Sequence, residues 1–164
     1  MNSEGVTTTG VIGVISDTHG LLRRDVCRIF NGVDMIVHAG DVGSMDVLNS
    51  LETIAPVTAV YGNMDGGIIA AFLNESEIFE FCGFKFQLLH DLSRLTIDPA
   101  AFGIHGVIAG HSHFPEVKTE NDILYLNPGS AGPGRPNKPV SLAKITVRDG
   151  RLWVKHFDLG GSIT

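Results

Sequence analysis

From Val11 to His113, each short apolar run of this chain stops at residues able to bind a metal ion. Val11–Ile15 leads into Ser16-Asp17-Thr18-His19-Gly20, Val33–Val37 into His38-Ala39-Gly40-Asp41, and Val57–Tyr61 into Gly62-Asn63. Further on, Phe84–Leu89 ends in His90, and Gly106–Ala109 in Gly110-His111-Ser112-His113. Apolar runs this short, bounded by turn residues, have the length of buried strands. Open α/β sheets gather their ligands outside the carboxyl ends of their strands. The pattern therefore favours layered α/β folds in which the strands that feed the clusters share one direction.

The segments between these runs fit that layering. Leu21–Phe30 places Leu22, Val26, Ile29 and Phe30 at helical spacing. Ser44–Leu51 reads as a helix with Ser44 as its N-cap. The second half changes character. Glu77–Phe81 and Phe84–Leu89 flank Cys82-Gly83 as a hairpin, and Pro99–Phe102 forms a short helix. Glu116–Glu120 pairs with Ile123–Leu126 across Asn121-Asp122, and Ser141–Val147 with Leu152–His156 across Asp149-Gly150. These meander patterns predict a second, largely antiparallel sheet packed on the first, with helices outside. Asn127–Pro139 holds four of the seven prolines and three glycines, a long irregular loop of the kind that carries function.

Size and charge narrow the classes. The 164 residues suit a single domain over Gly10–Thr164, preceded by a disordered leader over Met1–Thr9. That leader is polar, carries Glu4 and has no apolar core, unlike a secretory signal. No apolar stretch approaches the roughly 20 residues of a membrane-spanning helix. Cys27 and Cys82 lie in apolar surroundings without CxxC spacing, which predicts buried free thiols in a reducing compartment, the cytoplasm. A net charge of −6 without a Lys/Arg run argues against a duplex nucleic-acid footprint. An anionic substrate is still compatible, because bound cations reverse the field locally.

The clusters carry the chemistry. Asp17 and His19 are two apart, so an extended backbone would send both side chains from one face, and His111 and His113 repeat the spacing. Asp41 offers two carboxylate oxygens that can each serve an ion, and Asn63 offers a carbonyl oxygen. Each cluster alone also reads as an ordinary turn, and Asp65 reads equally as a turn residue or a ligand-orienting one. Together they supply two Asp, one Asn and four His, enough for two divalent ions, as in two-metal hydrolases. The oxygen and nitrogen set without thiolate suits Mn²⁺, Fe²⁺, Ni²⁺ and Zn²⁺ alike, and Mn²⁺ is taken as the expected ion. Either Arg23 or Arg24 after the first cluster could reach a phosphate, with at least one of them expected on a solvated helix face, and Arg135 and Lys138 in the Pro/Gly loop are similarly placed candidates. His38, His105 and His156 have no partner cluster and are expected to be non-ligands. Asn127-Pro128-Gly129-Ser130 is expected to shape the wall beside His111 and His113.

The order Asp-x-His, Gly-Asp, Gly-Asn, His, Gly-His-x-His resembles the calcineurin-like metallophosphoesterases. Ser16–Gly20, His38–Asp41, Tyr61–Asp65 and Leu126–Ser130 resemble the small prokaryotic phosphodiesterase branch, and the likeness spans about Val11–Phe157. It implies an α/β two-sheet sandwich flanked by helices, with mixed parallel and antiparallel strands. It also implies a binuclear site. Asp17, His19 and His113 would hold one ion, Asn63, His90 and His111 the other, and Asp41 would bridge them. A hydroxide shared by the ions would attack phosphorus in line, and Asn63 would also hydrogen-bond the phosphate. On this resemblance Asp41 and Asn63 are the catalytic residues, and Asn63 and Arg23 bind a small phosphodiester substrate. Met64 stands where many members carry a histidine that protonates the leaving group, so diesters are expected over monoesters. The branch also implies a homodimer or homotetramer, with Ile68–Leu73 as a contact surface. Two alternatives share the fold: a phosphomonoesterase, and a non-catalytic interaction scaffold like a retromer-coat protein with a degraded metal site. The intact set of ligand positions favours the enzyme.

Overall fold

The computed structural model describes residues 8–160, so positions 1–7 of the expected leader lie outside it. Side-chain alternation along the strands sorts the apolar residues into three layers. The first sheet contains β1 (Gly10–Ile15), β2 (Met35–His38) and β3 (Val57–Ala59), running parallel with Ile12 beside Met35 and Ile36 beside Val57. The second contains β4 (Ser76–Phe81), β5 (Phe84–Leu89), β6 (Gly106–Ile108), β7 (Pro115–Glu120) and β8 (Ile123–Pro128), in the order β4-β5-β6-β8-β7. β9 (Ser141–Arg148) and β10 (Arg151–Asp158) complete the first sheet, ordered β10-β9-β1-β2-β3.

Ile12, Val14, Val37, Phe86, Leu88, Ile108, Leu126 and Ile145 fill the space between the sheets. On the outer face of the first sheet, α1 (Arg24–Ile29) contributes Val26 and α2 (Met45–Glu52) contributes Val47, Leu48 and Leu51, packed with Phe30 and Ile36. Gly13 allows this approach, since a Cβ there would lie 2.9 Å from the Phe30 ring. The outer face of the second sheet carries Leu89, Val107 and Ile123, covered by Ile104, Leu95 and Ile97. The protein is thus the expected α/β sandwich of two mixed sheets. Its α-helices flank the first sheet, while the segment between β5 and β6, with 3₁₀ turns at Leu92–Arg94 and Ala100–Phe102, covers the second. Among the described residues, no helix is long and apolar enough to cross a membrane.

Several local expectations change. The second half does not make one antiparallel sheet: β9 and β10 join the first sheet, where β9 pairs antiparallel with β1, Gly10 opposite Val147. β9 is buried on both faces over most of its length, which suits an interior position. In the second sheet, β5, β6 and β8 run parallel, and only β4 and β7 are antiparallel to their neighbours. The first helix starts at Arg24 rather than Leu21, because Leu21 N–H closes a turn onto the Thr18 carbonyl at 2.9 Å. A further helix, α3 (Gly67–Phe72), forms despite Gly66-Gly67, anchored in the core by Ile69. Cys27 is exposed and Cys82 half-buried in a hairpin turn, so the expected burial of both thiols does not hold.

Candidate metal centre

Because β1, β2 and β3 run parallel and adjacent, Asp17, Asp41 and Asn63 leave one edge of the first sheet together. β5 and β6 deliver His90, His111 and His113 from the second sheet to the same edge. The chain then turns sharply. Asp17 (φ 55°), His19 (47°), Asp41 (52°), His111 (70°) and His113 (65°) all adopt the left-handed conformation. The two-apart pairs therefore converge by folding back, not through the extended backbone expected from spacing. Left-handed geometry costs a non-glycine residue roughly 1–2 kcal/mol, and such strain concentrates at functional sites. Cross-loop hydrogen bonds hold it: Asp17 N–H to the Gly40 carbonyl (3.0 Å), His19 N–H to Asp41 (3.0 Å) and Gly110 N–H to His90 (2.9 Å).

The donor atoms form two groups that share one carboxylate. In the first, ligand atoms of Asp17, His19, Asp41 and His113 all lie within 4.8 Å of one another. His113 Nε2 is 3.0 Å from Asp17 Oδ1, and His19 Nε2 is 3.9 Å from Asp41 Oδ2. In the second, Asn63 Oδ1 lies 3.0 Å from His90 Nε2 and 3.1 Å from His111 Nδ1, while His90 Nε2 is 3.3 Å from Asp41 Oδ2. Donors bound to one ion at about 2.0–2.2 Å stand roughly 3–4 Å apart, so both groups have the spacing of a ligand shell. The chemistry of the atoms agrees. Asp17 Oδ1 and His19 Nε2 are buried with no hydrogen-bond partner; Asp17 Oδ1 faces His113 Nε2 without hydrogen-bond alignment. A cation satisfies such atoms.

Surrounding hydrogen bonds fix which atom of each side chain faces the cluster. Asp17 Oδ2 accepts from Ser16 Oγ (2.6 Å) and His111 N–H (3.2 Å), leaving Oδ1 inward. Asp41 Oδ1 accepts from Met64 N–H at 2.8 Å, leaving Oδ2. His90 Nδ1 donates to the Ala39 carbonyl at 2.7 Å, which leaves Nε2. His111 points Nδ1 inward while its Nε2 lies 3.8 Å from Asp91. Glycine is required where the loops touch: a Cβ on Gly62 would lie 2.2 Å from Asp41 Oδ1, and one on Gly110 2.0 Å from Ser16 Oγ.

Beneath the cluster, Asp65 accepts three backbone N–H groups, from Val42 (3.0 Å), Gly62 (2.9 Å) and Gly43 (2.9 Å). It thereby ties the loop carrying Asp41 to the loop carrying Asn63. His38 performs a similar task between the first two loops. Its Nδ1 accepts from Gly40 N–H, and its Nε2–H donates to Thr18 Oγ1 at 2.9 Å, which in turn donates to the Val42 carbonyl. Full burial pushes its pKa down to about 4, so the ring is neutral.

Charge is unevenly distributed. Burial raises the Asp41 carboxyl, but the hydrogen bond to His90 and the Met64 N–H outweigh it, and its pKa falls below the ordinary value. Burial lowers His90, yet Asp41 and the Ala39 carbonyl more than compensate, and its pKa rises. Burial lowers His113, opposed by Asp17 and reinforced by Arg135 and Lys138. Those two loop cations therefore act electrostatically on the centre. Lys138 also reaches it physically, donating to the Ser112 carbonyl at 3.1 Å.

Other expected residues lie nearby in different roles. Arg23, expected to contact substrate, directs Nε and Nη2 to the Gly132 carbonyl (3.3 and 3.0 Å) and so fastens the Pro/Gly loop. Arg24 is exposed at the start of α1. Asn127 bonds the Gly110 carbonyl (2.8 Å) and Ser112 Oγ (3.0 Å), holding the His111–His113 turn. His105 accepts from Lys85 N–H and His156 bonds the Asn127 carbonyl, both outside the cluster. Sequence reading missed Ser16, Thr18 and Asp91. Only Asp91 left a trace, as a carboxylate directly after His90.

The sequence profile of the calcineurin-like phosphoesterase superfamily domain matches residues 11–150, which include every donor described above. The chain belongs to this superfamily. A probable metallophosphoesterase of Methanocaldococcus jannaschii is 38% identical over 157 residues, covering 86% of this chain and 78% of the relative. Among solved structures, one reported as a novel archaeal phosphodiesterase superimposes with a TM-score of 0.78 at 25% identity, covering 91% of this chain and 99% of that one. Vacuolar protein sorting 29 from Cryptosporidium parvum shares the fold, with a TM-score of 0.75 at 19% identity, covering 92% of this chain and 98% of that one.

Proposed function

We propose that this chain is a metal-dependent phosphodiesterase that holds two divalent ions, Mn²⁺ by preference, at the common edge of its two sheets. The observation that carries the reading is the shared carboxylate: Asp41 Oδ2 stands beside both His19 Nε2 and His90 Nε2. Asp17, His19 and His113 complete one ligand group, and Asn63, His90 and His111 the other. When bound, the ions would supply Lewis acidity and a nucleophile at neutral pH, the requirements of in-line displacement at phosphorus.

The chain's own residues set the rest of the chemistry. Asn63 turns Oδ1 toward His90 and His111, which frees its Nδ2 to donate to a phosphoryl oxygen. Arg135 and Lys138 add positive charge on the His113 side, favouring an anionic substrate despite the net charge of −6. Arg23 acts through the loop it fastens. At position 64 the methionine side chain is 71% exposed and carries no proton to give a leaving group. Esters with acidic alcohols therefore suit the site better than alkyl monoesters. The relatives named as metallophosphoesterases and phosphodiesterases support the same class. A cytoplasmic homo-oligomer is part of the reading, with Ile68 and Phe72 exposed on α3 as its contact residues.

The decisive experiment measures hydrolysis of an aryl phosphodiester by chelator-stripped protein before and after Mn²⁺ is added, with Asp41→Ala as control. Turnover restored by metal and lost in the variant is the expected result. A folded protein inactive with Mn²⁺, Ni²⁺, Fe²⁺ and Zn²⁺ alike would overturn the reading in favour of a scaffold.

A further inference from the structure

A cleft of about 490 Å³ adjoins the metal centre and shares Asn63 and His90 with it. Tyr61, Thr96 and, on β5, Gln87 and Leu89 also line it. Glu75 and Arg94, paired at 2.7 Å, belong to the same lining. Its volume falls within the range of small-molecule sites, roughly 300–1,000 Å³, and far exceeds what a bare phosphate needs.

Gln87 is out of place on physical grounds. Phe86 and Leu88 face the interior of the sandwich, and the buried neighbours of Gln87 on the other face of the sheet, Leu89 and Val107, are apolar. Gln87 is only 7% exposed. Its Nε2 donates to Ser76 Oγ at 3.1 Å, but its Oε1 is buried without a hydrogen-bond partner. An unpaired buried acceptor costs about 1–3 kcal/mol, and an apolar side chain of similar volume would avoid that cost. The acceptor is covered in the unliganded protein, and because Gln87 belongs to the cleft lining, a turn of its side-chain amide would bring Oε1 to a ligand donor there.

We infer that this cleft binds the organic arm of the substrate and that Gln87 Oε1 accepts a hydrogen bond from an N–H or O–H on that arm. The arm is of nucleoside size, which makes nucleoside phosphodiesters the favoured substrate class. This inference rests on the phosphodiesterase reading. It adds a specificity residue remote from the ligand set, because Gln87 touches neither phosphate nor metal donors.

The test compares kcat/KM of the Mn²⁺-loaded protein for two chromogenic diesters, bis(p-nitrophenyl) phosphate, which has no donor, and the p-nitrophenyl ester of thymidine 5′-phosphate, which has several. The expected result is a preference for the nucleoside ester that falls about tenfold in Gln87→Met, the worth of one good hydrogen bond to a buried acceptor. A second measurement follows the Gln87 side-chain amide by NMR during titration of the wild-type protein with thymidine 5′-phosphate. A shift of that resonance supports the site. Both diesters hydrolysed with the same ratio in wild type and Gln87→Met would overturn the inference while leaving the phosphodiesterase reading intact. Should neither diester be hydrolysed, the parent reading fails, and the titration alone decides the cleft: an unmoved amide overturns it.

Discussion

Alanine at position 62 puts the packing of the metal centre to a direct test. A Cβ there would meet Asp41 Oδ1 at 2.2 Å and Asp41 N at 2.4 Å. Comfortable contacts begin at about 3.5 Å, so the two loops must separate by on the order of 1 Å. Rotating the Asp41 side chain does not relieve this, because the backbone nitrogen is nearly as close as the carboxylate. Nor can the loops part freely: Asp65 binds Gly62 N–H on one side and Val42 and Gly43 N–H on the other. The φ of Gly62 lies outside the left-handed region, which makes the perturbation steric alone. Misplacement of a reacting group by about 1 Å can cost about 100-fold, whereas overpacking costs only about 1–3 kcal/mol of stability. Gly62→Ala is therefore expected to keep its fold by circular dichroism, to lose about 100-fold in kcat/KM on an aryl diester and to bind Mn²⁺ more weakly in calorimetry. A folded variant with wild-type kcat/KM and metal affinity would refute the claim that these loops fix the carboxylate.

Metal loading should expel protons, because His90 sits above its ordinary pKa beside Asp41 and must be neutral to ligate. Calorimetry in buffers of different ionisation enthalpy is expected to show more protons released per Mn²⁺ at pH 6.5 than at pH 8.5, and equal release would contradict it. His38 should make stability pH-dependent. Its folded pKa of about 4 lies below the unfolded 6.5, so the unfolded chain takes up the proton first and stability falls as pH drops through that window. Between pH 7 and pH 4.5 the loss is on the order of 2 kcal/mol, read as the difference in urea unfolding between wild type and His38→Gln at the two pH values. Asp91→Asn should weaken metal-dependent activity about tenfold by loosening His111, and an unchanged rate would show that the 3.8 Å contact does not orient the ring.

The convergence of the donor side chains at one edge was legible in the sequence because it is coded locally, as polar residues at the ends of short apolar runs. Asp41, Asn63 and His90 needed nothing further to be placed. The route by which Asp17 and His19 converge was not legible, since left-handed φ values in non-glycine residues depend on cross-loop hydrogen bonds such as His19 N–H to Asp41. Partner choice between strands was hidden for a related reason. The hairpin of β9 and β10 is written in Asp149-Gly150, but its docking on β1 involves residues more than a hundred positions away. α3 was missed because Gly66-Gly67 argues against a helix and only tertiary burial of Ile69 sustains it. Gln87 gives no signal in the sequence, because its burial and its place in the cleft lining come from tertiary packing alone.

The path of the chain bears on how it is made. The polypeptide leaves the first sheet after β3, builds the whole of the second, and returns only at Ser141 to cover the open side of β1. On a translating ribosome the donor residues through His113 emerge first, while β1, central in the finished sheet, still has one bare edge. Unpaired strand edges in growing chains invite aggregation. The strand that closes the first sheet is thus among the last to be made, so a chain cut short before Ser141 would leave β1 exposed along one side whatever else had folded.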